Sequence, residues 1–123
     1  MKEKIFTLKM QNYCCSQIVM AIGLEKLGIE NPQLIEAMAG LCEGVKCGSI
    51  CGTASAAVCL MYLADAKTAQ EGLAEEYLDW FEDSFGAMDC RDILGDDPMA
   101  KLEKCPMIVE ATMAKLEELL EWD

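Results

Sequence analysis

The sequence predicts an all-α protein: one domain over residues 1–123, a compact bundle of about five to six helices with a nearly all-apolar central helix over 51–66. Three observations predict it. Only 7% of residues are aromatic, while Ala, Leu, Met and Glu, all good helix formers, are abundant. Apolar residues recur at three- and four-residue spacing, and no stretch alternates like a strand. Asn, Gly and Pro fall where helices would start and stop. A chain of 123 residues buries an adequate core without metals or disulfides. Its eight cysteines are therefore not needed simply to hold the fold together.

Taken in order, Lys4 to Met10 reads as a short first helix. Asn12 reads as the N-cap of a second, which runs to about Leu27 with Ile18, Val19, Ile22, Leu24 and Leu27 apolar and Gly28 placed to end it. Asn31-Pro32 opens a third as cap and first-turn proline, with Leu34, Ile35, Ala37, Met38 and Leu41 as its buried side. A glycine-rich loop follows, from Gly40 to Gly52, carrying Cys42, Cys47 and Cys51. Its glycines call for a tightly bent backbone or for positive φ. From Cys51 to about Ala66 the pattern is apolar all round, as expected of a central helix, and Ala54, Ser55, Ala56 and Ala57 allow neighbours to approach closely.

Ala69 to Phe85 reads as an amphipathic helix. Leu73, Tyr77, Leu78, Trp80 and Phe81 point inward, Glu71, Glu75, Glu76, Asp79, Glu82 and Asp83 outward, and Gly86 closes it. Asp89 to Leu94 is a short helical turn ended by Gly95, and Asp96-Asp97-Pro98 is a surface turn. The last helix is expected from Cys105-Pro106 to about Trp122. Its Val109, Met113, Leu116 and Leu120 form a seam for a partner helix, and exposed seam residues would favour a homodimer.

The net charge is −12 and there is no histidine. Such a surface repels phosphate backbones and anionic lipid, which argues against nucleic-acid and membrane partners. It suits a basic redox partner, although a solvated acidic surface is the ordinary reason for such a charge. Met1-Lys2-Glu3-Lys4 is not followed by a secretory apolar stretch, and the apolar run from Ile50 to Ala64 is too short to span a bilayer. The expected location is cytoplasmic. Thiols stay reduced there, so the cysteines are expected to be ligands, redox groups or small buried hydrophobes.

Several arrangements are excluded. There is no Cys-x-x-Cys, hence no thioredoxin-type motif and no covalent c-type haem site. Without histidine there is no mixed Cys/His zinc site and no His-based catalysis. No phosphate-binding loop or dinucleotide fingerprint occurs, and no pattern marks a catalytic acid–base pair. The remaining signal is positional. Cys15, Cys51, Cys90 and Cys105 all fall at predicted helix N-termini. Unpaired N–H groups and the helix dipole favour an anion there, so these thiols are expected to have lowered pKa values and to be good ligands or nucleophiles. N–H groups aimed at sulfur also tune an iron–sulfur cluster.

The other four cysteines have their own readings. Cys42, Cys47 and Cys51 form Cys-x4-Cys-x3-Cys, a rival ligand set with Cys90 or Cys105 as the fourth. Cys14 is core, resolving thiol or spare ligand. Cys59, between Val58 and Leu60, reads as a buried small hydrophobe. Glu43, Asp89 and Arg91 either tune nearby thiols or are solvated and capping residues. Lys46 and Lys104 either offset an anionic centre or are solvated. The methionines fill the core.

Four segments together resemble a known family. They are Cys15-Ser16-Gln17, then Cys51-Gly52-Thr53-Ala54-Ser55-Ala56, then Phe85-Gly86 with Cys90-Arg91-Asp92-Ile93-Leu94-Gly95, and finally Cys105. The pattern is similar to the redox-active family named C_GCAxxG_C_C for its four cysteines, and it covers nearly the whole chain. Thr53 stands where the family has Ala, and Ala56 where it has Gly. A similar domain in split-Soret cytochromes accompanies iron–sulfur and haem. The resemblance therefore implies electron transfer or redox sensing, with an iron–sulfur cluster or other metal held by Cys15, Cys51, Cys90 and Cys105. Two alternatives stay open: thiol–disulfide chemistry by the same residues without a cofactor, and a non-redox helical interaction module with a structural metal such as zinc.

Overall fold

Residues 1–97 and 99–122 are described by the structure, a computed structural model. Among these residues the chain forms seven α-helical segments and no strand; an isolated antiparallel bridge joins Ile50 to Asp89. Five helices have nine residues or more: α1 (Lys2–Met10), α2 (Cys15–Leu27), α4 (Gly52–Thr68), α5 (Ala74–Phe85) and α7 (Ala100–Leu119). Two are short: α3 (Pro32–Ala37) and α6 (Cys90–Leu94). No described helix is long and apolar enough to cross a membrane.

Local chemistry sets most helix ends. Cys14, not Asn12, is the N-cap of α2. Its backbone is extended, and its N–H donates to Gln17 Oε1 at 3.1 Å, as in a capping box. Asn12 instead takes a left-handed conformation (φ 69°) in the turn out of α1, a region that Asn tolerates. Gly28 ends α2 with φ 70°. Asn31 caps α3 by accepting from the Leu34 N–H at 3.1 Å, and Pro32 occupies the first turn. A tighter turn over Met38–Leu41 follows. Of the five positions expected on the buried side here, Met38 is buried, Leu34, Ile35 and Leu41 are half-buried, and Ala37 is exposed.

Helix α4 packs against α2, α5 and α7. Ala54, Ala56, Ala57, Leu60 and Met61 are fully buried on it. Gly23 of α2 meets Leu60 so closely that an added methyl would lie 2.6 Å from Leu60 Cδ1 and 2.8 Å from Cγ. The far face of α4 is open: Tyr62 is 42% and Leu63 43% exposed. Cys59 lies on that open face, which corrects the expectation of burial. One helix can present only part of its circumference to three neighbours, and Cys59 falls outside that arc.

The amphipathic helix expected from Ala69 begins properly at Ala74. Gly72 adopts φ 136° and breaks the helical path, leaving a wide turn over Ala69–Leu73. Tyr77 and Phe81 of α5 are fully buried, and Gly86 ends the helix with φ 79°. The Tyr77 hydroxyl shares a hydrogen bond of 3.0 Å with Thr112 Oγ1, so both buried hydroxyls are satisfied.

Helix α7 begins five residues before the expected Cys105, and Pro106 lies inside it. Residues 100–104 are mostly strong helix formers and Ala100 is buried, which carries the helix back past the proline. Pro106 has no N–H, so the turn before it lacks one helical hydrogen bond. Val109, Met113 and Leu116 are buried as expected of the seam; Leu120 is half-buried just past the helix end. Pro98, expected in the Asp96-Asp97-Pro98 turn, lies outside the described residues.

Candidate functional site: a cysteine-lined cavity

Three chain segments converge beside the start of α4. The turn before it runs through Gly44–Gly48 with Glu43 (φ 58°), Gly44 (φ 63°), Val45 (φ 56°), Lys46 (φ 64°) and Gly48 (φ 75°) all in the left-handed region. Glycine adopts this freely; a β-branched Val does so only under constraint from its surroundings. Gly52 is required for a different reason. An added methyl would lie 2.6 Å from the Leu41 carbonyl oxygen and 3.3 Å from Cys42 Cα, so only glycine lets the head of α4 touch this turn.

The same region is stitched to α6. The Cys51 N–H donates to Met88 O at 2.8 Å, and the Cys90 N–H donates to Ser49 O at 2.7 Å. The two cysteines are thus neighbours across the Ile50–Asp89 bridge. Arg91 adds a second tie, its Nε–H donating to Gly48 O at 3.1 Å.

A cavity of about 270 Å³ opens among these elements, α1, α2 and α7. Cys15, Cys51, Cys90 and Cys105 all line it, together with Cys14 and Cys42. The rest of the wall is largely apolar, including Ile5, Ile18, Ile93, Ile108 and Val109, with Lys9, Glu43 and Lys101 as charged members. Glu43 and Lys101 form an ion pair there.

Three of the four predicted cysteines keep their place at a helix start: Cys15 is the first residue of α2, Cys51 is the N-cap of α4, and Cys90 is the first residue of α6. Cys105 does not. It is the sixth residue of α7 and reaches the cavity from the helix interior.

The expectation of lowered thiol pKa values is also corrected for Cys51, Cys90 and Cys105. Burial pushes the Cys51 thiol up, and Cys15 adds like-charge repulsion; the N–H groups of Thr53 and Ala54 and the Thr53 hydroxyl pull it back only in part. Burial raises Cys90, with further repulsion from Cys15 and Glu43 against attraction by Lys101. Cys105 is pushed up to about 12, first by burial and then by Cys15, Cys51 and Cys90, with Lys9 opposing. An apolar wall and several sulfurs in one place outweigh the helix-end dipoles. The glutamate of the ion pair behaves oppositely: the hydrogen bond and charge of Lys101 hold Glu43 below the usual carboxylate range.

The other cysteines divide. Cys14 and Cys42 form a disulfide that joins the start of α2 to the left-handed turn, with a Cα–Cα distance of 6.3 Å. Cys47 is exposed, and its S–H donates to Gly44 O at 3.3 Å. The trio Cys42, Cys47 and Cys51 is therefore not gathered in one place. Lys104 turns away to donate to Ile93 O at 2.8 Å, and Lys46 is exposed. Lys9 and Lys101, rather than Lys46 and Lys104, line the cavity. Lys101 lies one helical turn before Cys105, a relation visible only once α7 is known to start at Ala100. Among the described residues, no group of three or more Cys, Asp or Glu is formed that could hold a single metal ion.

A family model described as "Putative redox-active protein (C_GCAxxG_C_C)" matches residues 13–119. No curated protein and no solved structure matches the chain.

Proposed function

Because the chain belongs to the C_GCAxxG_C_C family of redox-active proteins, we propose that it transfers electrons or senses redox state through an iron–sulfur cluster held by the thiolates of Cys15, Cys51, Cys90 and Cys105. The observation that carries this reading is that these four cysteines, far apart in sequence, line one cavity. The donor set fits. Four thiolates are the usual ligands of such clusters, and a cavity of about 270 Å³ has room for more than a single ion. When bound, such a group supplies one-electron chemistry at a potential set by charge, hydrogen bonding and exposure.

The chain's own residues would tune that potential. Cys51 sits at the head of α4, where Thr53 and Ala54 lie in the first turn and favour negative charge on its sulfur. Lys9 and Lys101 bring positive charge to the wall, and Ile5, Ile18, Ile108 and Val109 make much of it apolar. The raised pKa values make thiols the resting form of Cys51, Cys90 and Cys105 without a cationic centre, so loading would release protons. The net charge of −12 suits docking to a basic redox partner.

Anaerobic purification followed by an ultraviolet–visible spectrum and iron and sulfide analysis tests this. Charge-transfer absorption with bound iron and sulfide, lost in C90S and C105S, is the expected result. Absence of iron and sulfide after anaerobic reconstitution would overturn it. A second reading, thiol–disulfide exchange by the same four residues, is favoured by the disulfide already present on the cavity wall. It predicts instead a reversible loss of two cavity thiols on mild oxidation.

A further inference from the structure

The Cys14–Cys42 disulfide has no part in the four-thiolate reading, yet it borders the same cavity. Its surroundings differ at the two ends. Cys14 is half-buried at the start of α2, whereas Cys42 is only 3% exposed. Ser16, itself fully buried, lies against both sulfurs: its Oγ is 3.4 Å from Cys14 Sγ and 2.9 Å from Cys42 Sγ. The Ser16 hydroxyl donates its own hydrogen to Met38 O at 2.6 Å. Its oxygen is therefore available to accept a hydrogen bond. A disulfide sulfur has no hydrogen to give; a Cys42 thiol does. The pocket thus holds a ready acceptor for the reduced state, and a buried Cys42 thiol would not be left unpaired.

The bond also holds the segment that positions two cavity cysteines. Cys42 is followed directly by the left-handed residues Glu43, Gly44, Val45 and Lys46. Three of these are not glycine, so the segment keeps its conformation only while both ends are tethered. Beyond it, the Ser49 N–H donates to Gly44 O at 3.0 Å, Ser49 O accepts from the Cys90 N–H, and the Cys51 N–H reaches Met88 O. The disulfide tethers the upstream end of this chain of hydrogen bonds.

We propose that Cys14–Cys42 is a second, reversible redox centre, a disulfide–dithiol couple that an external protein dithiol reduces and whose oxidised form clamps residues 43–50 beside the cavity. The exchange balances as follows. A partner thiolate attacks the sulfur of Cys14, the less buried of the two cysteines; the Cys14–Cys42 bond breaks and a mixed disulfide to Cys14 forms. Cys42 leaves as thiolate, takes a proton and becomes a thiol facing Ser16 Oγ. The partner's second thiolate attacks its own half of the mixed disulfide, Cys14 leaves and is protonated, and the partner departs as a disulfide. Two electrons and two protons reach the chain. A partner disulfide reverses every step.

The test uses the full chain in the C47S/C59S background, which removes two exposed thiols, with chelator present so that no metal or cluster is bound. The four-thiolate reading can then fail without touching the result. Dithiothreitol is added without denaturant, thiols are alkylated and mapped by peptide, and amide hydrogen exchange is followed at Ser49, Cys51 and Cys90. The expected result is two new thiols, at Cys14 and Cys42, restored to the same bond by glutathione disulfide. Amide exchange at the three positions rises at least tenfold on reduction. The C14S variant shows the fast exchange with or without dithiol; if it fails to fold, the wild-type pair of redox states still decides. A bond that resists dithiothreitol until denaturant is added, or exchange that is equal in the two states, overturns the proposal.

Discussion

Replacing Gly52 by alanine tests how the cavity is assembled. The added methyl would stand 2.6 Å from the Leu41 carbonyl oxygen, 3.2 Å from its carbon and 3.3 Å from Cys42 Cα. All three are main-chain atoms, so no side chain can swing aside. Ordinary contact begins near 3.4 Å, so the head of α4 and the Leu41–Cys42 backbone must part by roughly 0.8 Å. Overpacking of this kind costs about 1–3 kcal/mol. The displacement also moves Cys51, whose N–H is bound to Met88 O, relative to Cys90 across the bridge. The control is Gly28→Ala. Gly28 has φ 70° and nothing within 4 Å of an added methyl, so its cost of about 1–2 kcal/mol is purely conformational and remote from the cavity. Urea unfolding of both variants should show losses of similar size. Anaerobic iron and sulfide loading should fall at least tenfold in Gly52→Ala and stay at the wild-type level in Gly28→Ala. Wild-type stability and loading in Gly52→Ala would refute the claim that this contact positions Cys51.

Other predictions concern protons, hydroxyls and exposure. In the metal-free protein with the Cys14–Cys42 bond intact, Cys105 keeps its proton up to about pH 12, whereas an unfolded chain loses it near 9. The folded state then binds more protons above pH 9, so stability must fall as pH rises past that point. Urea midpoints at pH 7.5 and 10 should show the drop, reduced in Cys105→Ala; a midpoint that rises with pH would contradict the burial of this thiol. Tyr77→Phe leaves the Thr112 hydroxyl buried without its partner and should cost roughly 1–2 kcal/mol in urea unfolding. Adding Thr112→Val should recover most of it, and a fully additive double variant would argue against the pair. Cys59→Ser should change stability by less than about 0.5 kcal/mol because the thiol is exposed, whereas a loss of 1 kcal/mol or more would place it in the core.

Much of the fold was legible because helix ends are decided within a few residues. Asn31 reaches the Leu34 N–H, Gly28 and Gly86 supply left-handed φ, and α6 lies between Asp89 and Gly95 as expected. The errors arose where a local signal competed with packing. Pro106 looked like a helix start, but residues 100–104 extended α7 past it. Asn12 looked like a cap, but the cap is the next residue but one, Cys14, backed by Gln17. Cys59 sat among apolar residues in sequence, yet neighbours cover only part of α4 and leave it exposed.

By itself the sequence determined the all-α class, the order of helices and the four spaced cysteines that mark the family. These depend on composition, periodicity and caps, which act over one or two turns of chain. Only the tertiary structure decided that the four cysteines share a cavity, that Cys14 bonds to Cys42, and that the buried thiols hold their protons. Those outcomes rest on contacts between residues tens of positions apart and on how much water remains around each sulfur. A helix start favours a thiolate locally, but the surrounding apolar wall and the other sulfurs reverse that preference, and neither can be read from the residues beside the cysteine.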